Sequence, residues 1–165
     1  MDALIVHVDG IGFWAPGLAD WSAFSRAVEY DDFALPETRP RPSPGALPPA
    51  ERRRAPEPVL IASEAAGQAV AMAACDASTI ASVFVSTHGD LAITDEMCAT
   101  LARDPRELSP THFHNSVHNA PAGYWTVAAR CHAPATAISA ERASFAAGLV
   151  EAAVEVAAEG EPVLL

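Results

Sequence analysis

Short continuous runs of apolar residues along the chain predict buried strands. The clearest are Ala3–Val8, which ends at Asp9-Gly10, and Ile80–Ser86, which ends in a polar turn containing Gly89. Thr136–Ser139 is a shorter candidate, and Pro162–Leu165 has the same apolar character. The pattern therefore predicts four strands, well separated in sequence.

Longer stretches with helical spacing lie between these runs. Asp20 is a suitable N-cap for a first helix, which carries Trp21 and Phe24 on one face. Thr94, followed by two acidic residues, and Ser109, followed by proline, are the predicted N-caps of two more helices. The other predicted helices are rich in alanine and span Val59–Ala74, Ala120–Arg130 and Arg142–Ala158.

The segment Leu35–Pro58 breaks this alternation because it holds most of the 14 prolines. Proline removes backbone donors, so we predict a long loop here, with three alternatives: a lid, a partner-binding loop or a disordered segment. Arg52, Arg53 and Arg54 lie in it, either as an anion or acidic-partner site or as a solvated run. Strands alternating with helices favour a single layered α/β domain over residues 1–165.

Composition and charge narrow the class of protein. Half of the 165 residues are apolar and 19% are charged, which is enough to build a buried core. The net charge of −11, with arginine as the only basic residue type apart from histidine, argues against a nucleic-acid binder. The start of the chain lacks the basic flank of a signal peptide, and no apolar run is long enough to span a membrane. We therefore expect a cytoplasmic protein.

Two glycines, Gly10 and Gly12, follow the first predicted strand, as in a dinucleotide-binding fingerprint. The bulky Phe13-Trp14 pair and the delayed helix disfavour a phosphate site. A tight turn that needs glycine is the favoured interpretation, with a nucleotide site as the alternative.

Histidines at positions 112, 114 and 118 form a second candidate site. His114 and His118 would share a face of a helix, as zinc ligands often do. Asn115, Ser116 and Asn119 beside them are hydrogen-bonding types, and no carboxylate lies within the cluster. We therefore favour histidines and asparagines that order a buried turn, and we expect no metal or other cofactor. Ser86, His88 and Asp90 contain the residue types of a catalytic triad, but close neighbours on one turn do not converge on one atom.

The three cysteines have no CxxC spacing, which favours a reducing compartment. Cys75 and Cys98 fall in predicted apolar helices and are expected in the core. Cys131 precedes His132 and is a weak candidate for a nucleophile.

The segment Ser109–Ser144, SPTHFHNSVHNAPAGYWTVAARCHAPATAISAERAS, resembles the β-ketoacyl synthase-like N-terminal family, which includes chain-length-factor-type subunits of bacterial aryl polyene and related pigment pathways. Val8–Gly17 (VDGIGFWAPG) is similar to the VTGIGxxSPxG opening of ketosynthases. Glu51–Val70 is similar to their arginine pair and the helix that follows. The resemblance covers nearly the whole chain and implies the first half of a thiolase-like fold.

The resemblance also implies where the reactive cysteine of a ketosynthase would lie. The family pattern T-x-x-S-x-A-C-A-S matches Thr136–Ser144, and Arg142 stands at the position of the cysteine. Guanidinium has no usable nucleophilic lone pair at neutral pH, so no acyl enzyme forms there. The histidines that promote decarboxylation belong to the second half of the fold, so no histidine of this chain inherits that role.

The family resemblance therefore implies a catalytically silent, chain-length-factor-type subunit that forms a heterodimer with an active β-ketoacyl synthase. The pair would elongate a polyunsaturated acyl chain on an acyl carrier protein, for which Arg52–Arg54 are the local docking candidates. The alternatives are an active condensing enzyme and a truncated thiolase-like interaction module without an acyl pocket. The candidate pocket and interface residues are Phe113, His114, His118, Asn119, Tyr124, Ala135, Thr136, Ala137, Ile138 and Ser139.

Overall fold

Three parallel strands form the sheet of the computed structural model, which describes residues 4–30 and 40–165. The central strand β1 (Ala81–Val85) pairs with β2 (Ala135–Ile138) on one side and with β3 (Val163–Leu164) on the other. Val83 is opposite Thr136, and Ser82 is opposite Leu164. The strands predicted around positions 80, 136 and 162 are confirmed, with bounds that differ by one or two residues.

Helices surround this sheet and account for most of the described residues. The predictions of helices near positions 21, 59, 110, 120 and 144 are confirmed. None of the helices within residues 4–30 and 40–165 has the length and apolar character needed to span a bilayer. Their bounds are α1 Trp21–Tyr30, α2 Pro49–Arg54, α3 Glu57–Ala73, α4 Leu91–Arg103, α5 Pro110–Asn115, α6 Ala120–Ala129 and α7 Ser144–Glu159.

Side-chain caps explain where several helices begin. Asp20 Oδ1 accepts a hydrogen bond of 2.7 Å from the amide of Ala23, and Ser109 Oγ caps α5, as predicted. The prediction that Thr94 caps α4 is wrong. Asp90 is the N-cap, and the Thr94 hydroxyl donates to the Asp90 carbonyl oxygen at 2.8 Å. Both residues are good caps, and the tight turn after β1 places the earlier one at the helix start.

The core lies between the sheet and the pair α3 and α6. Trp125 of α6 is almost fully buried and packs in a cluster with Val70 of α3 and Leu164 of β3. A second cluster joins Leu47 to Leu60 and so fastens the segment before α2 onto α3. Burying a large apolar side chain contributes about 1.5–3 kcal/mol, so these contacts set the position of α6 behind the sheet.

The first predicted strand, Ala3–Val8, is not a strand in the structure. Residue 3 lies outside the described residues, and residues 4–8 are extended and exposed, with Ile5 75% accessible. None of the three strands in the described residues pairs with this run, which lines a cavity of about 490 Å³ with β3 and α7. An apolar run favours a strand, but only a neighbouring strand supplies its hydrogen-bond partners.

Gly10 and Gly12 lie directly against α3. A β-carbon on Gly12 would collide with the carbonyl group of Ala65, and one on Gly10 with that of Ala69. Gln68 holds the crossing in place, because its Oε1 accepts from the amide of Phe13 at 3.1 Å. Neither glycine has a positive φ, so the expectation of a tight turn is wrong, and close approach of two backbones is the reason for glycine.

The proline-rich segment contains a helix that its composition does not suggest. The prediction of a loop over 35–58 is wrong at α2, and residues 31–39 lie outside the described residues. Pro49 occupies the first helical turn, where its missing N–H costs nothing, Glu51 lies near the positive end, and Arg52–Arg54 lie at the negative end. These favourable termini and the buried Leu47 stabilise one and a half turns of helix.

Ala74 ends α3 in the left-handed conformation, with φ 53°. We expect Ala74→Gly to raise the free energy of unfolding by about 0.5–1 kcal/mol, because glycine adopts this backbone without a steric penalty. The matched control is Ala99→Gly at an exposed position inside α4, which should lower stability by about 1 kcal/mol. Urea denaturation followed by circular dichroism measures both. Equal destabilisation by the two changes would contradict the assignment of strain to Ala74.

Candidate functional site

A short turn connects β2 to α7, and Arg142 lies in it. One 3-10 turn spans Glu141–Ala143, and α7 begins at Ser144. The helix predicted from Arg142 therefore starts two residues later. We call residues 139–144 the elbow.

Hydrogen bonds from three hydroxyl groups hold the elbow. The buried Ser144 hydroxyl accepts from the Ala140 amide at 2.9 Å and donates to the Glu141 carbonyl oxygen at 2.6 Å. Thr87, which follows β1, donates to the same oxygen at 3.3 Å, and its own carbonyl accepts from the Ser139 hydroxyl at 3.0 Å. Glu141 has a φ of 49°, a left-handed conformation that this network maintains.

The reactive character of the elbow comes from Arg142, whose guanidinium group is a cation. Arg142 is exposed, and no ion pair involves it among the described residues, Glu141 included. An exposed guanidinium needs no partner carboxylate in this chain by itself. The elbow presents a permanent positive charge and no thiol.

The cysteines lie away from the elbow. Cys131 is 7% exposed, and its thiol donates to the Ile80 carbonyl oxygen at 3.4 Å. Ile80 precedes β1, whereas the elbow adjoins the opposite end of that strand, about 15 Å away at 3.3 Å per residue. Cys75 is half-buried. Cys98 is exposed on α4, so its predicted core position is wrong.

Two of the three clustered histidines have separate polar partners, and the ring of the third, His114, lies beside the ring of Tyr124. α5 ends at Asn115, so the expectation that His114 and His118 share a helix face is wrong. His112 Nδ1 lies 3.5 Å from a carboxylate oxygen of Glu96, and His118 Nε2 lies 2.8 Å from the Ser86 carbonyl oxygen. No cluster of three potential metal ligands occurs in the parts of the chain that the structure describes.

Asn115 lies between these histidines, in the turn that the sequence predicts to be buried. It is 4% exposed and accepts a hydrogen bond of 3.1 Å from the Tyr124 hydroxyl. Burial raises the pKa of Tyr124 above its usual value, and the Glu51 carboxylate adds to the shift, while the Asn115 bond and Arg54 oppose it. The neutral phenol is therefore the form that donates to Asn115.

Two cavities flank the segment 115–121. The first, the β1 cavity, has about 350 Å³ and lies among Phe84–Ser86, the first half of α3, Asn115, Val117 and His118. The second, the α6 cavity, has about 580 Å³ and contains His114, Asn119 and Tyr124, together with Glu51. Of the predicted pocket residues, these two cavities thus collect His114, His118, Asn119 and Tyr124. Phe113 is 60% exposed and lines neither.

The five predicted interface residues Ala135–Ser139 lie on or beside an edge of the sheet. β2 pairs with β1 on one side, and no described strand pairs with it on the other. The Ser82 and Ser86 amides donate to the carbonyl oxygens of Pro134 and Ile138. In a parallel pair such groups alternate, so the backbone N–H of Ala137 points away from β1. The outer edge of β2 is open for a further strand.

The three clustered arginines lie at the end of α2. The sequence predicted a loop at their position, whereas the structure has a helix there. Arg52 donates to the Ser43 hydroxyl at 3.0 Å, while Arg53 and Arg54 are exposed.

Ser86, His88 and Asp90 form no triad, since the Ser86 hydroxyl accepts from the Gly89 amide and Asp90 caps α4.

Comparison with known families identifies this arrangement. Residues 21–165 match the sequence model of the β-ketoacyl synthase N-terminal domain. The chain belongs to this family. The β-ketoacyl synthase resemblance of the sequence is thereby confirmed, and its α/β, thiolase-like fold is confirmed with it.

Solved structures show the same fold. A chain of the complex of ketosynthase ApeO with its chain length factor ApeC from Xenorhabdus doucetiae superposes on this β-ketoacyl synthase domain with a TM-score of 0.73 and 27% identity. A β-ketoacyl synthase from Burkholderia phymatum superposes with a TM-score of 0.69 and 15% identity. Each superposition covers 92% of this chain, but only 60% and 43% of those chains, respectively. No curated protein sequence matches the chain.

Proposed function

We propose that this β-ketoacyl synthase domain acts as a chain-length-factor-type subunit, which forms no acyl enzyme and pairs with an active β-ketoacyl synthase. The observation that carries the proposal is Arg142, which stands in the elbow where the family pattern has its nucleophilic cysteine. A condensing enzyme needs a thiolate to hold the acyl chain, and an exposed guanidinium performs no such step. The partner would supply both the thiolate and the histidines.

The similarity to the ApeO–ApeC complex supports a ketosynthase partner. In both superpositions 92% of this chain is aligned, and the aligned part covers 60% of the matched chain of that complex but only 43% of the Burkholderia enzyme. The matched chain of the complex is therefore shorter than the Burkholderia enzyme. The complex also has the higher identity of the two. A reaction within such a pair would extend an acyl chain carried by an acyl carrier protein.

The open edge of β2 supports a specific mode of pairing. A partner strand added there would use the outward backbone groups of Ala135, Ala137 and Ser139. Because the elbow begins directly after β2, a partner on this edge would lie close to Arg142. The charge of Arg142 would then meet either a carboxylate of the partner or solvent at the rim of the interface.

We expect Ala137→Pro to abolish co-purification with a ketosynthase encoded nearby. Proline removes an outward N–H but breaks no hydrogen bond to β1, so the domain keeps its fold. Ala137→Val is the matched control, since valine keeps the N–H and favours a strand. Affinity purification after co-expression, followed by size-exclusion chromatography, measures pairing. Unchanged pairing of a folded Ala137→Pro variant would exclude addition of a strand at β2.

Docking of the carrier protein would depend mainly on the active partner. Acyl carrier proteins are usually acidic, and this chain has a net charge of −11, so the two repel each other at moderate ionic strength. Arg53 and Arg54 are exposed on α2 and form the local candidate surface with Arg52. Pocket shape would then be the contribution of this subunit to product length, because a packed wall resists additional carbons.

A further inference from the structure

Helix α7 packs on the sheet through its smallest residues. Ser144, Gly148 and Ala152 lie four residues apart, and all three are buried. This row faces β1 and β3. A β-carbon on Gly148 would collide with the side chain of Val85, so helix and strand are in close contact. The larger apolar side chains of α7 lie on other faces of the helix.

These larger side chains are exposed. Phe145 is 69% accessible, Leu149 44%, Val150 63% and Val154 53%. At 3.6 residues per turn, they form one continuous surface with the alanines between them. Helices at a protein surface normally turn charged residues towards water, so α7 has the pattern of a helix that is covered on both sides. We call this surface the α7 outer face, and it consists of Phe145, Ala146, Leu149, Val150, Ala153, Val154, Ala157 and Ala158.

The charged residues of α7 lie away from the outer face. Glu151, Glu155 and Glu159 are four residues apart and follow the side of the helix next to the buried row. None of the outer-face residues is charged or has a hydrogen-bonding side chain. A partner would therefore bind here through apolar contacts, and the acidic charge of the chain places no carboxylate within the contact.

The surface area of the chain is large enough for such a contact. The accessible surface is 10725 Å², whereas a compact monomer of 17.2 kDa exposes about 7,800 Å². Residues outside the described ranges account for at most about 1,800 Å² of the difference, even when they are counted as fully exposed. The remaining excess of about 1,100 Å² is more than the roughly 800 Å² that each partner contributes to a standard interface.

The order of large and small residues along the outer face fits a second copy of this chain. One row falls in size towards its end and consists of Phe145, Leu149, Ala153 and Ala157. In an antiparallel, twofold-symmetric pair of helices, the first residue of this row lies opposite the last residue of the second copy's row. The second residue likewise lies opposite the third. Each large side chain thus meets an alanine.

The neighbouring row reads the same in both directions, and it consists of Ala146, Val150, Val154 and Ala158. About nearly the same axis, Val150 lies opposite Val154 of the second copy. We propose that the α7 outer face packs against the same face of a second copy in an antiparallel, twofold-symmetric contact. This contact does not involve the edge of β2, so a ketosynthase and a second copy would bind at different places.

Sedimentation velocity of the full chain at several concentrations tests this proposal. We expect a concentration-dependent dimer with twice the mass of 17.2 kDa. Val150→Glu should weaken dimerisation at least about a hundredfold, because its carboxylate would be buried against Val154 of the second copy without a partner. Glu151→Gln is the matched control, since it lies outside the outer face and should leave the dimer intact.

Two outcomes of this experiment would overturn the proposal. One is an unaltered chain that stays monomeric at every concentration, and the other is unchanged dimerisation of Val150→Glu. Circular dichroism checks that the variant is folded, as the exposure of Val150 predicts. No ketosynthase is present in these samples, so the result does not depend on the proposed function.

A mixture of two variants tests the register of the helices. Val150→Glu and Val154→Arg should each be monomeric alone, whereas their mixture should form a heterodimer, because the new carboxylate faces the new guanidinium. A mixture without a heterodimer would overturn the proposed pairing.

The salt dependence of the dimer separates an apolar contact from one held by ion pairs. Dimerisation of the unaltered chain should strengthen as salt is added, because salt screens the repulsion between two chains of net charge −11 and leaves apolar contacts in place. Weakening by salt would indicate ion pairs in the contact and would overturn the proposal.

Discussion

Gly12→Ala is expected to lower the free energy of unfolding by about 1–3 kcal/mol, the usual cost of overpacking. Its β-carbon would collide with the Ala65 carbonyl group on the backbone of α3, which cannot rotate away as a side chain does. The segment would have to move off the helix, and the hydrogen bond from the Phe13 amide to Gln68 would be lost. Urea denaturation followed by tryptophan fluorescence measures the change.

Gly67→Ala is the matched control on the same helix. A β-carbon there meets nothing within 4 Å, and alanine has the higher helix propensity. We expect a gain of about 0.5–1 kcal/mol. If both changes stabilise the protein, residues 10–12 do not lie against α3, and the glycines need another explanation.

Cys131 is expected to react with iodoacetamide about a hundredfold more slowly than Cys98. The Cys131 thiol is buried against the Ile80 carbonyl oxygen, so alkylation requires local opening that costs about 3 kcal/mol. Cys98 is exposed on α4 and serves as the internal reference. Mass spectrometry of peptides from timed samples gives both rates. The same burial predicts no acyl adduct on Cys131 after incubation with an acyl thioester.

Arg142→Cys provides the positive control for this experiment. A thiol at position 142 lies in the exposed elbow before α7, where the helix N-terminus favours a thiolate. It should react at least as fast as Cys98. An acyl adduct on Cys131 in the unaltered protein would contradict the proposed function and favour an active condensing enzyme.

Local sequence signals predicted much of the fold. Asp20 and Ser109 cap helices as their side-chain chemistry requires, because a cap acts on amides two or three residues away. The apolar run Ile80–Ser86 became the central strand, which is buried by neighbours on both sides. Arg142 lies in the elbow before α7, and its correspondence to the cysteine of the family pattern stays a prediction.

Predictions that depended on contacts between residues far apart in the sequence were less accurate. The run at residues 4–8 has the composition of a strand, yet no neighbouring strand pairs with it. Cys98 was expected in the core, but α4 turns this position towards solvent. His114 and His118 were expected on one face, but α5 ends between them. For the candidate site, the sequence singled out Tyr124 and His118 and placed Asn115 in a buried turn, but it did not predict the hydrogen bond between Tyr124 and Asn115 beside the β1 cavity.

The approximate positions of three strands and five helices, the strongly acidic charge and the absence of a thiol at position 142 follow from the sequence itself, because each depends on residue identity or on neighbours a few positions away. The tertiary structure determines which strands pair, why position 12 requires glycine, and which polar groups of residues 115–118 line a common cavity. Those outcomes depend on contacts between residues dozens of positions apart, and no local pattern specifies such contacts.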